Sequence, residues 1–269
     1  MILKMWKKWR KVILLAEANK EFIKDSMPSK HAKYSPSSAE RWFACPGSIK
    51  LSEGVEREPV GRPALVGTFI HNMAEMLMKG HLEGITLEDY WLGKSETVED
   101  VEIIADQDMI DCAKFYVDYI EGRAKELNAK PLIEEQVSIE EINPECWGTS
   151  DAIIFNKEVI EVVDLKTGTW PVSPENNLQM SIYALGALAR YGNEDMKVIM
   201  TIVQPRSKQS VRSWETTAEY LVDWGFSELK TALDNCEADE PNYVFGEQCR
   251  FCPAKRVCET YKLNGEIYD

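Results

Sequence analysis

Two β-rich runs, Thr149 to Phe155 and Val159 to Leu165, are separated only by the polar Asn156-Lys157-Glu158. This pattern confines the middle of the chain to an antiparallel hairpin. With the turn centred between Lys157 and Glu158, paired positions sum to 315, which sets Asp151 opposite Asp164. Cross-strand partners share a face with Cβ atoms about 5 Å apart, and Lys166, two residues along, shares it too. Carboxylates held that close repel, so at neutral pH they share a proton or bind a cation. Mg²⁺ or Mn²⁺ suits them, because these ions take oxygen ligands and, between carboxylates and a phosphate, activate water. Lys166 would orient that water or neutralise phosphate charge. Asp-x-Lys alone is common and ordinarily marks an exposed strand end with a salt bridge, so the surrounding pattern decides.

Upstream, helical periodicity runs from Ala64 to Lys79 and again from Val101 to Leu127, with an acidic loop and a short helical piece between them. Ser35-Pro36-Ser37-Ser38-Ala39-Glu40 marks a helix start that Cys45-Pro46 ends or bends. Strands are expected over Ile133–Ile142, Thr149–Phe155, Val159–Leu165, Val198–Val203 and Val211–Thr216, and helices over Pro174–Arg190 and Ala218–Cys236. That order implies one α/β domain with a mixed central sheet flanked by helices, a helical N-terminal part and a Cys-rich C-terminal tail. Residues 1–26 form a basic, Trp-containing amphipathic extension, and 27–269 the domain proper, including a cysteine-bearing segment 236–262. The apolar Val12–Ala16 stretch is too short for a convincing signal peptide, and no run reaches the roughly 18 to 20 apolar residues of a membrane span. A cytoplasmic protein is expected.

Two helical pairs accompany the hairpin. His71 and Glu75 are four apart, with Gly67 one turn earlier; His71 offers a nitrogen ligand and Glu75 a further carboxylate. Gln179 and Tyr183 are likewise four apart on the helix after the Asp-x-Lys strand, spaced to meet a nucleotide by hydrogen bond and stacking. Taken singly, each pair reads as ordinary helix surface. The net charge of −14 argues against non-specific coating of nucleic acid but leaves room for a local basic track. Arg206, Lys208 and Arg212 are the candidates for it, with a solvated hairpin tip as the equally weighted alternative.

In order and spacing, Gly67-x-x-x-His71-x-x-x-Glu75, Gly148-Thr149-Ser150-Asp151, Asp164-Leu165-Lys166-Thr167-Gly168 and Gln179-x-x-x-Tyr183 resemble the successive motifs of RecB-type PD-(D/E)xK nucleases. The resemblance spans roughly residues 35 to 260. It implies a restriction-endonuclease-like core in which His71, Asp151, Asp164 and the Leu165 carbonyl hold metal, with Glu75 matching less firmly. It also implies Asp151, Asp164 and Lys166 as the catalytic set, and Gln179 and Tyr183 as DNA contacts. The arrangement further resembles a family of phage and prophage proteins of unknown function, which implies a place in phage replication or recombination.

Of the seven cysteines, Cys249-x-x-Cys252 and Cys258 cluster near the C-terminus, and Cys45 is the best fourth ligand for one tetrahedral centre. This placement resembles the iron-sulfur staple of AddB-type helicase nucleases and of RecB-related CRISPR adaptation nucleases, which implies a [4Fe-4S] cluster. Zn²⁺ would accept the same thiolates, with Cys236 able to replace Cys45; Cys112 and Cys146 read as buried free thiols. Tethering Cys45 to Cys249 closes a loop of about 200 residues, for which a cross-link entropy formula gives on the order of 5 kcal/mol.

The expectation is a Mg²⁺- or Mn²⁺-dependent DNA exonuclease acting on single strands or duplex ends. An endonuclease, a silent DNA-end-binding module of a recombination complex and an iron-sulfur redox protein are the alternatives. No Walker A pattern is present, so a helicase motor would be a separate partner.

Overall fold

The computed structural model describes residues 32–265 apart from 57 and 83; the amphipathic stretch expected over 1–26 lies outside them. A five-stranded mixed sheet forms the centre, made of β3 (Leu132–Ile139), β4 (Asn143–Phe155), β5 (Val159–Leu165), β6 (Lys197–Val203) and β7 (Val211–Thr217), side by side in that order. Only the β5–β6 pair is parallel; the others are antiparallel. Its crossover is the helix α6 (Leu178–Tyr191). β5 is apolar at nearly every position and almost wholly buried, as a strand covered on both faces should be.

Two apolar layers sandwich the sheet. One packs α6 with α1 (Ala39–Ala44), α7 (Ala218–Trp224) and α8 (Lys230–Glu237), and includes Trp42, Ile153, Ile160, Val162 and Leu185. The other packs α3 (Arg62–Met78) with α5 (Gln107–Glu126), and includes Phe69, Met73, Ile110, Ile154 and Val163. Short helices α2 (Gly47–Ser52), α4 (Leu87–Trp91) and α9 (Glu259–Asn264) complete the set, with a single π turn joining α7 to α8. The expected α/β class with a mixed sheet and flanking helices is what the chain forms.

The strand pairs Ala152↔Val163 to Phe155↔Ile160 have the predicted register. Several boundaries differ from expectation: β3 ends at Ile139 and not Ile142, β4 begins at Asn143 and not Thr149, and the helix expected over Ala218–Cys236 is interrupted by the π turn. Val101–Ile104 is not helical but forms β2, paired with β1 (Ser95–Val98). Glu99 and Asp100 both take positive φ (46° and 64°) in the two-residue turn between them, the geometry that closes a tight hairpin. The helix behind it starts only at Gln107, where the Asp106 side chain accepts from Met109 N at 2.9 Å. Similarly, α6 begins at Leu178 and not Pro174, because Asn177 caps it by accepting from Met180 N at 3.0 Å. Among the described residues no helix is long and apolar enough to cross a membrane.

Candidate active site and cysteine cavity

The site gathers where β5 ends. Gly67 makes it possible: a Cβ there would lie 2.9 Å from Thr167 Oγ1, so only glycine lets α3 come this close to the strand exit. One turn on, His71 Nε2 reaches the Leu165 carbonyl oxygen at 3.0 Å, and His71 Nδ1 lies 3.6 Å from Asp151 Oδ1. On the hairpin, Asp151 Oδ2 accepts from Leu165 N at 2.7 Å, which locks the carboxylate against the neighbouring strand. Leu165 therefore faces Asp151 with its N–H and His71 with its carbonyl.

Across β5, Lys166 Nζ lies 2.8 Å from Asp164 Oδ2 and donates to Gln179 Oε1 at 3.0 Å. Gln179 Nε2 in turn donates to Asp164 Oδ1 at 3.2 Å. The Lys166 contact to Oδ2 is an ion pair without hydrogen-bond geometry, so that buried oxygen is left without a hydrogen bond. A buried carboxylate oxygen in this state fits a site that takes a cation.

A residue missed in the sequence joins the group. His71, Glu134 and Asp151 each offer a ligand atom, all within 4.8 Å of one another. Glu134 sits in β3 with φ of 54°, between the pairs Ile133↔Ala152 and Glu135↔Ser150, and this left-handed kink falls at the site itself. No helical or strand spacing marks it; the visible signal is the double Glu134-Glu135, which breaks the apolar/polar alternation of the strand. Burial, with the charges of Asp151 and Glu75, pushes the Glu134 carboxyl up to about 7, against pull from His71 and Lys79. Burial and neighbouring Asp164 push Asp151 up to about 6, against His71, the Leu165 N–H and Lys166. The neighbouring positive groups do not outweigh this burial and crowding, and a divalent cation held by His71, Glu134, Asp151 and the Leu165 carbonyl would complete the compensation. Glu75 instead pairs with Lys79 at 2.5 Å, one turn along its own helix.

The expected nucleic-acid contacts are only partly available. Tyr183 is 6% exposed, and its ring packs where a Cβ on Gly148 would come within 3.0 Å of it. The Tyr183 ring is therefore packed beside Gly148, too buried to stack on a base, while its side chain hydrogen-bonds with Gln179 at the site. Arg212 is tied to Gln204, Ser207 and Gln209 around its own loop and to the Val172 carbonyl beyond β5. Arg206 is held by Asp108 and by the Thr167 carbonyl at 2.9 Å. Of the expected track, Lys208 alone is freely exposed.

A second group of residues, Cys45, Cys249, Cys252 and Cys258, lines one small cavity. Cys45 arrives from the turn between α1 and α2, and its sulfur accepts from Val244 N at 3.3 Å. Burial pushes its thiol up, opposed by N–H donors from Val244 and Ser48. The Ser48 hydroxyl lines the same cavity, buried and without a hydrogen bond among the described residues. An orphaned donor among four convergent thiols fits a cavity built around a thiolate-bound centre. Cys236 does not line the cavity but lies near Cys45, its sulfur against the Trp42 carbonyl at 3.5 Å, while Cys112 and Cys146 are buried in the two apolar layers.

Residues 31–265 match the family described as protein of unknown function, DUF2800. The chain belongs to this family. Among solved structures, the DUF2800 chain is similar to one named "Putative exonuclease" from Eubacterium rectale: 12% identity, 86% of this chain and 88% of that one covered, TM-score 0.47. It is similar also to SSO0001, at 14% identity, 97% and 98% coverage and TM-score 0.39. A third is LHK-Exo in complex with dAMP, at 12% identity, 75% and 91% coverage and TM-score 0.33. All three scores lie below 0.5, and the roles of the residues rest on their own geometry.

Proposed function

We propose that this chain is a divalent-metal-dependent DNA nuclease that hydrolyses phosphodiester bonds, acting as an exonuclease on single strands or duplex ends. The observation that carries it is the convergence of His71, Glu134 and Asp151 within 4.8 Å, beside the Asp164–Lys166–Gln179 chain. Mg²⁺ or Mn²⁺ at these ligands supplies charge neutralisation for the phosphate and a more acidic water. The chain's own groups do the rest. Gln179 bridges Asp164 and Lys166 and fixes the ammonium at the edge of the carboxylate group, where it can orient the attacking water and offset negative charge on the phosphate. The Leu165 N–H holds Asp151 in one orientation and the Leu165 carbonyl holds His71, so both ligands are positioned before substrate arrives.

We further propose that the four-cysteine cavity holds a [4Fe-4S] cluster as a structural staple, with Zn²⁺ as the alternative. A cytoplasmic role in phage replication or recombination, with any helicase motor a separate protein, completes the proposal.

The test is cleavage of end-labelled single-stranded, linear duplex and circular DNA with Mn²⁺, Mg²⁺ or EDTA, beside the Asp164→Ala variant. Metal-dependent loss of linear but not circular DNA, absent in the variant, is the expected result. Cutting of circles would replace the exonuclease with an endonuclease, and no cutting under any condition would overturn the reading.

A further inference from the structure

Trp170 stands four residues past the catalytic-type lysine and is 87% exposed. A tryptophan left in water forgoes the large gain that burying an aromatic ring brings, so folding gives no reason for it. Nor is it at the end of a loose loop. Gln204, only 1% exposed, donates from Nε2 to the Gly168 carbonyl at 2.7 Å and to the Trp170 carbonyl at 2.8 Å. Its Oε1 accepts from Val172 N at 3.2 Å. One buried amide thus clamps the loop on both sides of an exposed indole.

Beside that loop lies an open cleft lined by Arg62, Pro63, Val66, Thr167, Gly168, Thr169 and Arg206. It begins at Thr167, the residue after Lys166. Arg206 is fixed in its wall by Asp108 and the Thr167 carbonyl. Arg62 donates to the Glu102 carbonyl at 3.3 Å, a neutral acceptor, and makes no ion pair among the described residues. In a protein of net charge −14, the Arg62 guanidinium beside Pro63 and Val66, in a cleft that includes the residue after Lys166, is a local exception to the overall field.

We propose that this cavity and the Trp170 ring form a nucleotide subsite for single-stranded DNA next to the reacting phosphate. A backbone phosphate lies against Arg62, and the neighbouring base stacks on the Trp170 indole. The subsite has the two parts that sequence-tolerant strand binding uses, cationic groups for the backbone and an aromatic face for any base. It supplies the stacking surface that buried Tyr183 does not. The inference rests on the nuclease reading and names how that site holds its strand.

The experiment is fluorescence anisotropy of a dye-labelled single-stranded oligonucleotide in EDTA, which prevents cutting, using the full chain and its Trp170→Ala, Trp170→Phe and Arg62→Ala variants. Trp170→Ala should weaken binding by about 5- to 150-fold, the equivalent of one lost stacking contact. Trp170→Phe should recover most of that loss, and Arg62→Ala should weaken binding and flatten its salt dependence. On an abasic strand of equal length, wild type and Trp170→Ala should bind alike. Trp170→Ala binding within twofold of wild type, or losing as much on the abasic strand, overturns the subsite while leaving the nuclease reading intact. Wild type that binds neither single strands nor duplex ends overturns both.

Discussion

The carboxylate site and the cysteine cavity are assembled in opposite ways. The first crowds like charges: burial with Asp151 and Glu75 pushes Glu134 up to about 7, and burial with Asp164 pushes Asp151 up to about 6. The second draws the ends of the chain together, Cys45 from the start of the described residues and Cys249, Cys252 and Cys258 from the tail. Crowded acids weaken the metal-free fold at neutral pH, whereas a shared centre in the cavity would close a loop of about 200 residues and strengthen it. The comparison teaches that the two sites should respond in opposite senses to the same treatments. Changes at the first should alter activity with little loss of stability, and changes at the second should alter stability first.

The largest expected effect is on cleavage. Asp164→Ala or Lys166→Ala should lower the rate by on the order of 10³-fold or more with a melting temperature close to wild type, measured by gel assay and calorimetry. Equal losses of activity and stability would break the contrast. Next, Cys252→Ala should remove the visible absorbance of the cluster and lower the melting temperature by on the order of 10 °C, since even part of a 5 kcal/mol tether is large at this chain length. A variant as stable as wild type would show that the cavity holds no staple.

The pH response sharpens the comparison further. Because Glu134 and Asp151 have folded-state values above those of the free side chains, they stabilise the fold when protonated. That contribution is fully present below about pH 4 and is lost as pH rises through about 6 to 7. Metal-free protein should therefore lose a few °C of melting temperature between pH 5 and 7.5 through these groups. Glu134→Gln should flatten that slope, and Mn²⁺ should restore stability most strongly at the higher pH. A slope identical in Glu134→Gln would remove this residue from the account. The smallest effect belongs to the loop between β6 and β7. Lys208→Ala should weaken DNA binding by no more than about threefold, while Arg212→Ala should act on thermal stability, because Arg212 holds Gln204 and the Val172 carbonyl.

The hairpin was readable because alternation and a short polar turn leave one register, and that register sets Ala152 to Phe155 against Ile160 to Val163. Glycine spacing carried information for a steric reason: Gly67 and Gly148 stand where Thr167 and Tyr183 come too close for a Cβ. Other features depended on tertiary context. The helix carrying Tyr183 is buried at every position from Met180 to Leu188, so periodicity could not say which side was free. Glu134 enters the site only through a backbone kink that no side-chain pattern announces. Arg206 and Arg212 looked like a basic track because sequence shows charge but not the Asp108 and backbone carbonyls that occupy it.

The central claim is that one divalent cation is held by side chains from α3, β3 and β4. Its most direct test is Mn²⁺ titration of the purified full chain, followed by electron paramagnetic resonance and calorimetry, with wild type, His71→Ala, Glu134→Gln and Asp151→Asn compared. The account predicts saturable binding in wild type that weakens at least tenfold in each variant. Equal Mn²⁺ affinity in all four proteins would contradict it.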